Sequence, residues 1–236
     1  ALIINYLMDF KEEIINLSDS EDTKILQHCL LNNESNLNVY NSGTSLRFLI
    51  AFYALINKEV TIFGDKYLFQ RPITLLINYL NTLGAKISKK DNKIIIKKGK
   101  LVGGVLDLQP MRTSQFISSL LLIAPYLRGG LKLSLPEKIH SQSYVQMTIN
   151  MLLQSGISIK KNKNLILVDE SKYSHPCIAI ESDWSSASYL FLSFLFSELD
   201  YITISSFSPD SLQGDSDVVD LFSVFGIKTR LQGDVL

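Results

Sequence analysis

The sequence predicts an α/β fold in which a βαβαββ unit is repeated three times around buried parallel helices, and three observations lead to it. The order of elements recurs along the chain, as it does in repeat architectures. Gly84, Gly156 and Gly226 close the fourth element of each copy at intervals of 72 and 70 residues, and Thr44 and Ser114, which open the second element, are 70 apart. The second element of each copy is apolar nearly all round, the pattern of a helix enclosed on every side.

The first copy runs through a strand at 37–41, an apolar helix at 44–56, a strand at 59–63 and a periodic block at 71–83. In that block Ile73, Leu76, Tyr79, Leu80 and Leu83 recur at helical spacing, which predicts a half-exposed outer helix. Gly84 suits the left-handed residue that ends such a helix. A lysine-rich alternating segment then turns at Asp91-Asn92 and reads as a hairpin. The second copy has strands at 105–108 and 131–135, helices at 113–127 and 141–154, and a hairpin turning near Lys161-Asn162. The third has strands at 178–181 and 201–205 and helical blocks at 185–196 and 214–225. The three apolar helices are expected side by side, enclosed by sheets and outer helices.

Composition narrows the function classes. The chain has 236 residues, 46% of them apolar, with 23 Lys+Arg balanced by 23 Asp+Glu. That excludes a disordered segment, and zero net charge argues against a nucleic-acid partner. Cys29 and Cys177 have no CxxC spacing, so no metal site is expected and the chain suits the reducing cytoplasm. The densest apolar run, 189–196, is far shorter than the ~20 residues that span a bilayer. The lysines at 86, 89, 90, 93, 97, 98 and 100 read as the solvated face of a hairpin edge.

Residues 1–210 are expected to form one lobe, with units at about 37–100 and 101–170 and a third that combines 1–32 with 175–210. Residues 211–236 read as the start of a second lobe. Ala1 opens in mid-pattern with no N-cap, a strand at 13–17 and a helix at 20–31 follow, and Gln232-Gly233-Asp234 turns a hairpin that Leu236 leaves open. The sequence is therefore expected to be part of a longer protein.

Candidate binding residues gather where the apolar helices begin: Asn41-Ser42-Gly43-Thr44-Ser45, Thr113-Ser114-Gln115 and Ser185-Ser186. Simple N-capping needs only one such residue per helix. Arg47 lies near the start of one helix, Arg112 precedes another, and Arg71-Pro72 opens an outer one. A cation there costs about 0.3–1 kcal/mol against the helix dipole. An anionic ligand removes that cost, and N–H groups, hydroxyls and guanidiniums suit phosphate or carboxylate. The repeat should bring all three N-termini to one side, around a shared anion pocket. His28, His140 and His175 sit in unrelated contexts, Asp19, Glu21 and Asp22 suit a helix N-terminus, and Trp184 reads as packing. Tyr144 reads as core or as a ring-stacking residue. No acid–base pair stands out.

These motifs resemble the 3-phosphoshikimate 1-carboxyvinyltransferase (EPSP synthase) family. Asn41-Ser42-Gly43-Thr44-Ser45-Leu46-Arg47-Phe48 is similar to its Asn-Ala-Gly-Thr-Ala-Met-Arg-Phe segment, and Gly64-Asp65 with Gln70-Arg71-Pro72-Ile73 to its Gly-Asp…Arg-Pro-Ile. Thr113-Ser114-Gln115-Phe116 resembles Ser-Ser-Gln-Phe, and Ser141-Gln142-Ser143-Tyr144 resembles Ser-x-Pro-Tyr. Asp183-Trp184-Ser185-Ser186-Ala187-Ser188-Tyr189 and Gln213-Gly214-Asp215 complete the series in order.

The resemblance implies an enolpyruvyltransferase-type lobe of three βαβαββ units. It implies transfer of the enolpyruvyl group of phosphoenolpyruvate to the 5-hydroxyl of shikimate 3-phosphate, through a tetrahedral ketal and with release of phosphate, on the route to chorismate. Neither metal nor organic cofactor is implied, and a monomer is expected. By position, Thr44, Thr113, Ser114, Gln115, Ser141 and Tyr144 would hold shikimate 3-phosphate. Gly43, Arg71 and Gln115 would hold phosphoenolpyruvate, with Asn41 and Arg47 in support. The family's N-terminal Gly-Ser-Lys-Ser…Arg motif, its second lobe and its catalytic Asp and Glu are not in this sequence, so no catalytic residue is assigned and no turnover is expected from this chain alone. Ser143 stands where the family usually has Pro, and Ser182 where it often has Gly. The alternatives are a UDP-N-acetylglucosamine enolpyruvyltransferase, whose reactive loop cysteine neither Cys29 nor Cys177 matches, and a non-catalytic phosphometabolite-binding module.

Overall fold

A computed structural model of the chain describes residues 1–110 and 113–236. The described residues form two compact units: Ala1–Lys11 with Ser18–Cys177, and Glu12–Leu17 with Ile178–Leu236. No helix among the described residues is long and apolar enough to cross a membrane.

The first unit contains two sheets of one topology. Strands β1 (Asn36–Asn38), β2 (Val60–Phe63), β3 (Lys86–Lys90) and β4 (Lys93–Lys97) are ordered β1-β2-β4-β3. Strands β5 (Gly104–Asp107), β6 (Leu131–Ser134), β7 (Ile159–Asn162) and β8 (Leu165–Val168) are ordered β5-β6-β8-β7. In each sheet the first pair is parallel and the other two are antiparallel. Helices α3 (Gly43–Leu55) and α4 (Thr74–Thr82) belong to the first sheet, α5 (Gln115–Ile123) and α6 (Gln142–Gln154) to the second. Two βαβαββ copies are therefore complete, as the repeat predicts.

The apolar helices lie inside this unit. α3 packs on α4, α5, β4 and α2 (Glu21–Leu31), and Leu49, Ile50, Phe52 and Tyr53 are buried. Phe116, Ile117, Leu120 and Leu121 of α5 are buried with them. Pro125 stops α5 early, and the chain continues as a short 3-10 turn, because proline lacks the N–H that the next α-helical bond needs. A first helix, α1 (Leu2–Leu7), starts without a side-chain cap, and Asn5 holds Cys177 by two backbone bonds of 2.8 Å.

The punctuating glycines act as expected. Gly84, Gly156 and Gly226 have φ of 100°, 86° and 89°. At each, the glycine N–H and the next N–H bond back into the last helical turn: to Asn81 and Leu80, to Leu153 and Leu152, and to Ser223 and Phe222. That is the Schellman pattern, which satisfies two end carbonyls.

The second unit departs from expectation. Its helices α7 (Trp184–Leu195) and α8 (Val218–Ser223) bury Trp184, Ala187, Phe191, Val218 and Phe222 around Phe207. The strands expected at 13–17, 178–181 and 201–205 are reduced to single bridges, Ile15 with Ala179 and Ser205 with Val235. Each pairs on one side only, whereas β2 and β6 are held on both, and two-stranded ladders are weak. α7 is not buried all round: Tyr189 is 72% exposed, and Phe196, just past its end, 81%. Within its own unit α7 buries one face against α8 and Phe207, and its other apolar face is exposed.

Candidate functional site

The site is built from the starts of α3 and α5. Tyr40 adopts a left-handed φ of 47°, and its N–H donates to Asn38 Oδ1 at 2.9 Å. The Asp65 N–H donates to the Tyr40 carbonyl at 2.8 Å, and a Cβ on Gly64 would collide with that carbonyl. This explains why Gly64-Asp65 follows strand β2: a glycine lets the two backbones touch. Asn41 is exposed beside the turn, and Ser42 Oγ caps α3 by accepting from Ser45 N–H at 3.1 Å. The N–H groups of Gly43 and Thr44 then have no intrahelical acceptor.

Two guanidiniums converge there. A Cβ built on Gly43 would lie 2.7 Å from Arg47 Nη1 and 2.9 Å from Arg71 Nη1. Arg47 Nη1 donates to the Gly43 carbonyl and to Gln115 Oε1, both at 2.9 Å, and Gln115 Nε2 donates to Thr44 Oγ1 at 3.2 Å. The Arg47 guanidinium also stands 5.9 Å over the Phe116 ring. Arg47 is only 8% exposed, and its Nε is buried without a partner. Burial pulls its pKa down, and the Arg71 charge adds to that. Among the described residues neither arginine has a carboxylate within 4 Å. Two unneutralised cations at a helix N-terminus make a site for an anion.

Arg71 does not open a helix, as the sequence suggested. It lies in an extended conformation (φ −68°, ψ 147°) after a 3-10 turn, and α4 starts at Thr74. Pro72 imposes this, because a residue before proline avoids the helical region. Thr113 Oγ1 accepts from Gln115 N–H at 3.2 Å, while the hydroxyls of Ser114 and Ser141 form no cap, so simple N-capping does not account for them. Ser141 is left-handed (φ 55°) at the start of α6. Tyr144 is 46% exposed rather than in the core. Its carbonyl accepts from Thr148 Oγ1, which pairs with Ser118 Oγ of α5 at 2.7 Å, an α5–α6 tie that the sequence did not flag. The only sign was two hydroxyls on apolar helix faces.

The structure thus brings together Gly43, Thr44, Arg47, Arg71 and Gln115, with Thr113 bonded to Gln115. It shows no direct bond from Ser141 or Tyr144 to that group. Arg112 lies outside the described residues. α7 does not offer the free N-terminus expected of it. Asp183 accepts from Ser185 and Ser186 N–H, and Ser185 Oγ donates to Asp215, so carboxylates fill that end. Gln213 explains its motif differently, bonding Trp184 N–H at 3.0 Å and the Ser182 carbonyl at 2.9 Å. Trp184 is buried edge-on to Phe207, as a packing residue.

A repeated βαβαββ architecture with an anion-ready cluster where two of its inner helices begin defines an enolpyruvyltransferase-type protein. The family model for EPSP synthase (3-phosphoshikimate 1-carboxyvinyltransferase) matches residues 2–233, and the chain belongs to that family. It is 34% identical over 235 residues to a 3-phosphoshikimate 1-carboxyvinyltransferase of Bacteroides fragilis, covering 98% of this chain and 57% of that protein. It is 35% identical over 193 residues to one of Methanosarcina mazei, covering 79% of this chain and 45% of the relative. An EPSP synthase structure from Acinetobacter baumannii superposes with a TM-score of 0.59 at 26% identity, over 73% of this chain and 39% of that one. The chain thus spans about half the length of the relatives it matches. Neither alternative reading is favoured by these likenesses.

Proposed function

We propose that the chain is the substrate-holding lobe of a 3-phosphoshikimate 1-carboxyvinyltransferase. Shikimate 3-phosphate is held by Thr44, Thr113, Ser114, Gln115, Ser141 and Tyr144. Phosphoenolpyruvate lies against Gly43, Arg71 and Gln115, with Asn41 and Arg47 shaping the loop. The observation that carries this reading is the convergence of Arg47 and Arg71 on Gly43, beside the Gln115 amide and with no carboxylate within 4 Å among the described residues.

In the reaction the 5-hydroxyl gives up its proton as its oxygen bonds to C2 of phosphoenolpyruvate and C3 takes a proton, which gives a ketal. Loss of phosphate from C2 and of a proton from C3 then restores the double bond. The residues of this chain supply charge and position: the guanidiniums balance phosphate or carboxylate, and Gln115 spans both substrates. Proton transfer is assigned to none of them, so the chain alone binds weakly and does not turn over.

Calorimetric titration tests the reading. Shikimate 3-phosphate should bind and UDP-N-acetylglucosamine should not, and Gln115→Ala should abolish the heat. Binding of the nucleotide sugar instead, or phosphate release by this chain alone, would contradict it.

A further inference from the structure

One buried polar contact joins α5 to α6 just beneath the ends that carry the candidate ligand residues. Ser118 lies one turn below Ser114 and Gln115 on α5, and Thr148 lies one turn below Tyr144 on α6. Their hydroxyls are 2.7 Å apart, and the two residues are only 4% and 7% exposed. The flanking Ile117, Leu121, Val145 and Ile149 belong to the buried core, so neither hydroxyl can turn to solvent. Left unpaired, either would be costly there. Among the described residues this is the one side-chain hydrogen bond between α5 and α6.

The direction of these bonds is fixed. Thr148 Oγ1 lies 2.9 Å from the Tyr144 carbonyl, which can only accept, so the single threonine proton goes there. Ser118 must then donate to Thr148. The chain of bonds therefore runs from the interior of α5 to the backbone of the first turn of α6. A threonine that bonds back to the carbonyl four residues earlier bends its helix and slightly weakens it. This happens where no cap holds the helix: Ser141 is left-handed, its side chain caps no N–H, and the first turn has no acidic residue. The other polar tie near this end, Lys161 Nζ to Gln146 Oε1, lies on the exposed surface. The start of α5 is fastened differently on its other side, where Gln115 bonds Arg47 and Thr44 of α3.

We propose, resting on the binding site proposed above, that Ser118 and Thr148 are positioning residues for shikimate 3-phosphate. Acting through the helices rather than by contact, they set the spacing between Ser114 and Gln115 on α5 and Ser141 and Tyr144 on α6. A substrate held from both helix starts feels that spacing. Gly43, Arg47 and Arg71 do not depend on it, because they are joined to α5 through Gln115. The pair therefore acts on the shikimate 3-phosphate half of the site and leaves an anion at the guanidiniums untouched.

The test is an amide-shift titration of the intact chain with shikimate 3-phosphate and, separately, with inorganic phosphate followed at Gly43 and Thr44. Thr148→Val removes one hydroxyl and keeps the shape. Ser118→Ala combined with Thr148→Val removes both, so no hydroxyl is left unpaired and the fold is spared. Thr148→Ser keeps the bond. The double variant should bind shikimate 3-phosphate at least tenfold more weakly, with its phosphate response at Gly43 and Thr44 and its urea midpoint unchanged. Thr148→Ser should bind within about twofold of the unsubstituted chain. Four outcomes would overturn the proposal: undiminished affinity in the double variant, equal loss for both ligands, a loss in Thr148→Ser as large as in Thr148→Val, or a double variant that does not fold. No shifts with shikimate 3-phosphate in the unsubstituted chain would instead overturn the binding site itself, and this role with it.

Discussion

Arg47 Nη1 donates to Gln115 Oε1 at 2.9 Å, and this bond ties the start of α3 to the start of α5. The same bond fixes the amide, because Oε1 must face Arg47 and Nε2 must then face Thr44. A buried cation that holds two helices together, with no carboxylate beside it among the described residues, is costly in the free chain and is offset when an anion arrives.

Arg47→Met should therefore be nearly neutral for folding, within about 1 kcal/mol, because an apolar side chain of similar length replaces a buried unpaired charge. The stabilisation by shikimate 3-phosphate in thermal unfolding should disappear. A loss of ~3–5 kcal/mol without ligand would make Arg47 a structural residue instead.

Gly43→Ala and Gly64→Ala should separate function from fold. The Cβ at position 43 meets the tips of two arginine side chains and no backbone, so stability should change by less than about 1 kcal/mol while the displaced guanidiniums weaken anion binding. The Cβ at position 64 meets the backbone carbonyl of Tyr40, which cannot move without breaking the Asp65 bond. Gly64→Ala should cost ~2 kcal/mol or more in urea unfolding.

The three helix-ending glycines should rank in their tolerance of alanine. Each substitution bears the left-handed cost of roughly 1–2 kcal/mol. Gly226→Ala adds nothing, since nothing lies within 4 Å of its Cβ position, whereas Gly156→Ala meets the Ser174 side chain and Gly84→Ala the Lys100 carbonyl. Urea midpoints should fall in the order Gly226, Gly156, Gly84, from mildest to most severe. Trp184 is the sole tryptophan, so its fluorescence reports the Gly226 variant in the second unit.

Much of this was legible in the sequence because it is local or periodic. A glycine after an amphipathic block, an alternating Lys/Ile run and a 70-residue period each carry their own physics, and α3, β3, β4 and α6 appear where those patterns put them. The rest depends on partners that no local pattern reveals. The apolarity of 185–196 could not show that one face of α7 stays uncovered. Proline 72 shortened α4, yet only the folded loop brings Arg71 to Gly43. The Arg47–Gln115 bond joins residues 68 positions apart, and a carboxylate at the start of α7 excludes the anion that its serines suggested.

Alkaline pH should unfold the first unit. Burial, reinforced by Glu34, pushes the Cys29 thiol from 9.0 up to about 11, and burial also raises the Tyr53 and Tyr173 hydroxyls. Each raised pKa means that the fold favours the neutral form. Its stability is full below the unfolded value, near pH 9 for Cys29, and is lost as pH rises through about 11. Urea unfolding followed by circular dichroism should show that decline, and Cys29 should resist Ellman's reagent at pH 8 until the chain unfolds. Rapid reaction in the folded chain would contradict the assignment.

The most direct test of the anion site is an NMR titration of the isotope-labelled chain with phosphoenolpyruvate in the presence of shikimate 3-phosphate. The expected result is saturable shifts at the amides of Gly43, Thr44 and Gln115 and at the Arg47 and Arg71 side chains, all lost in Arg71→Ala while its unfolding midpoint stays unchanged. Shifts confined to other residues, or unaltered in Arg71→Ala, would show that the two guanidiniums do not receive the anion.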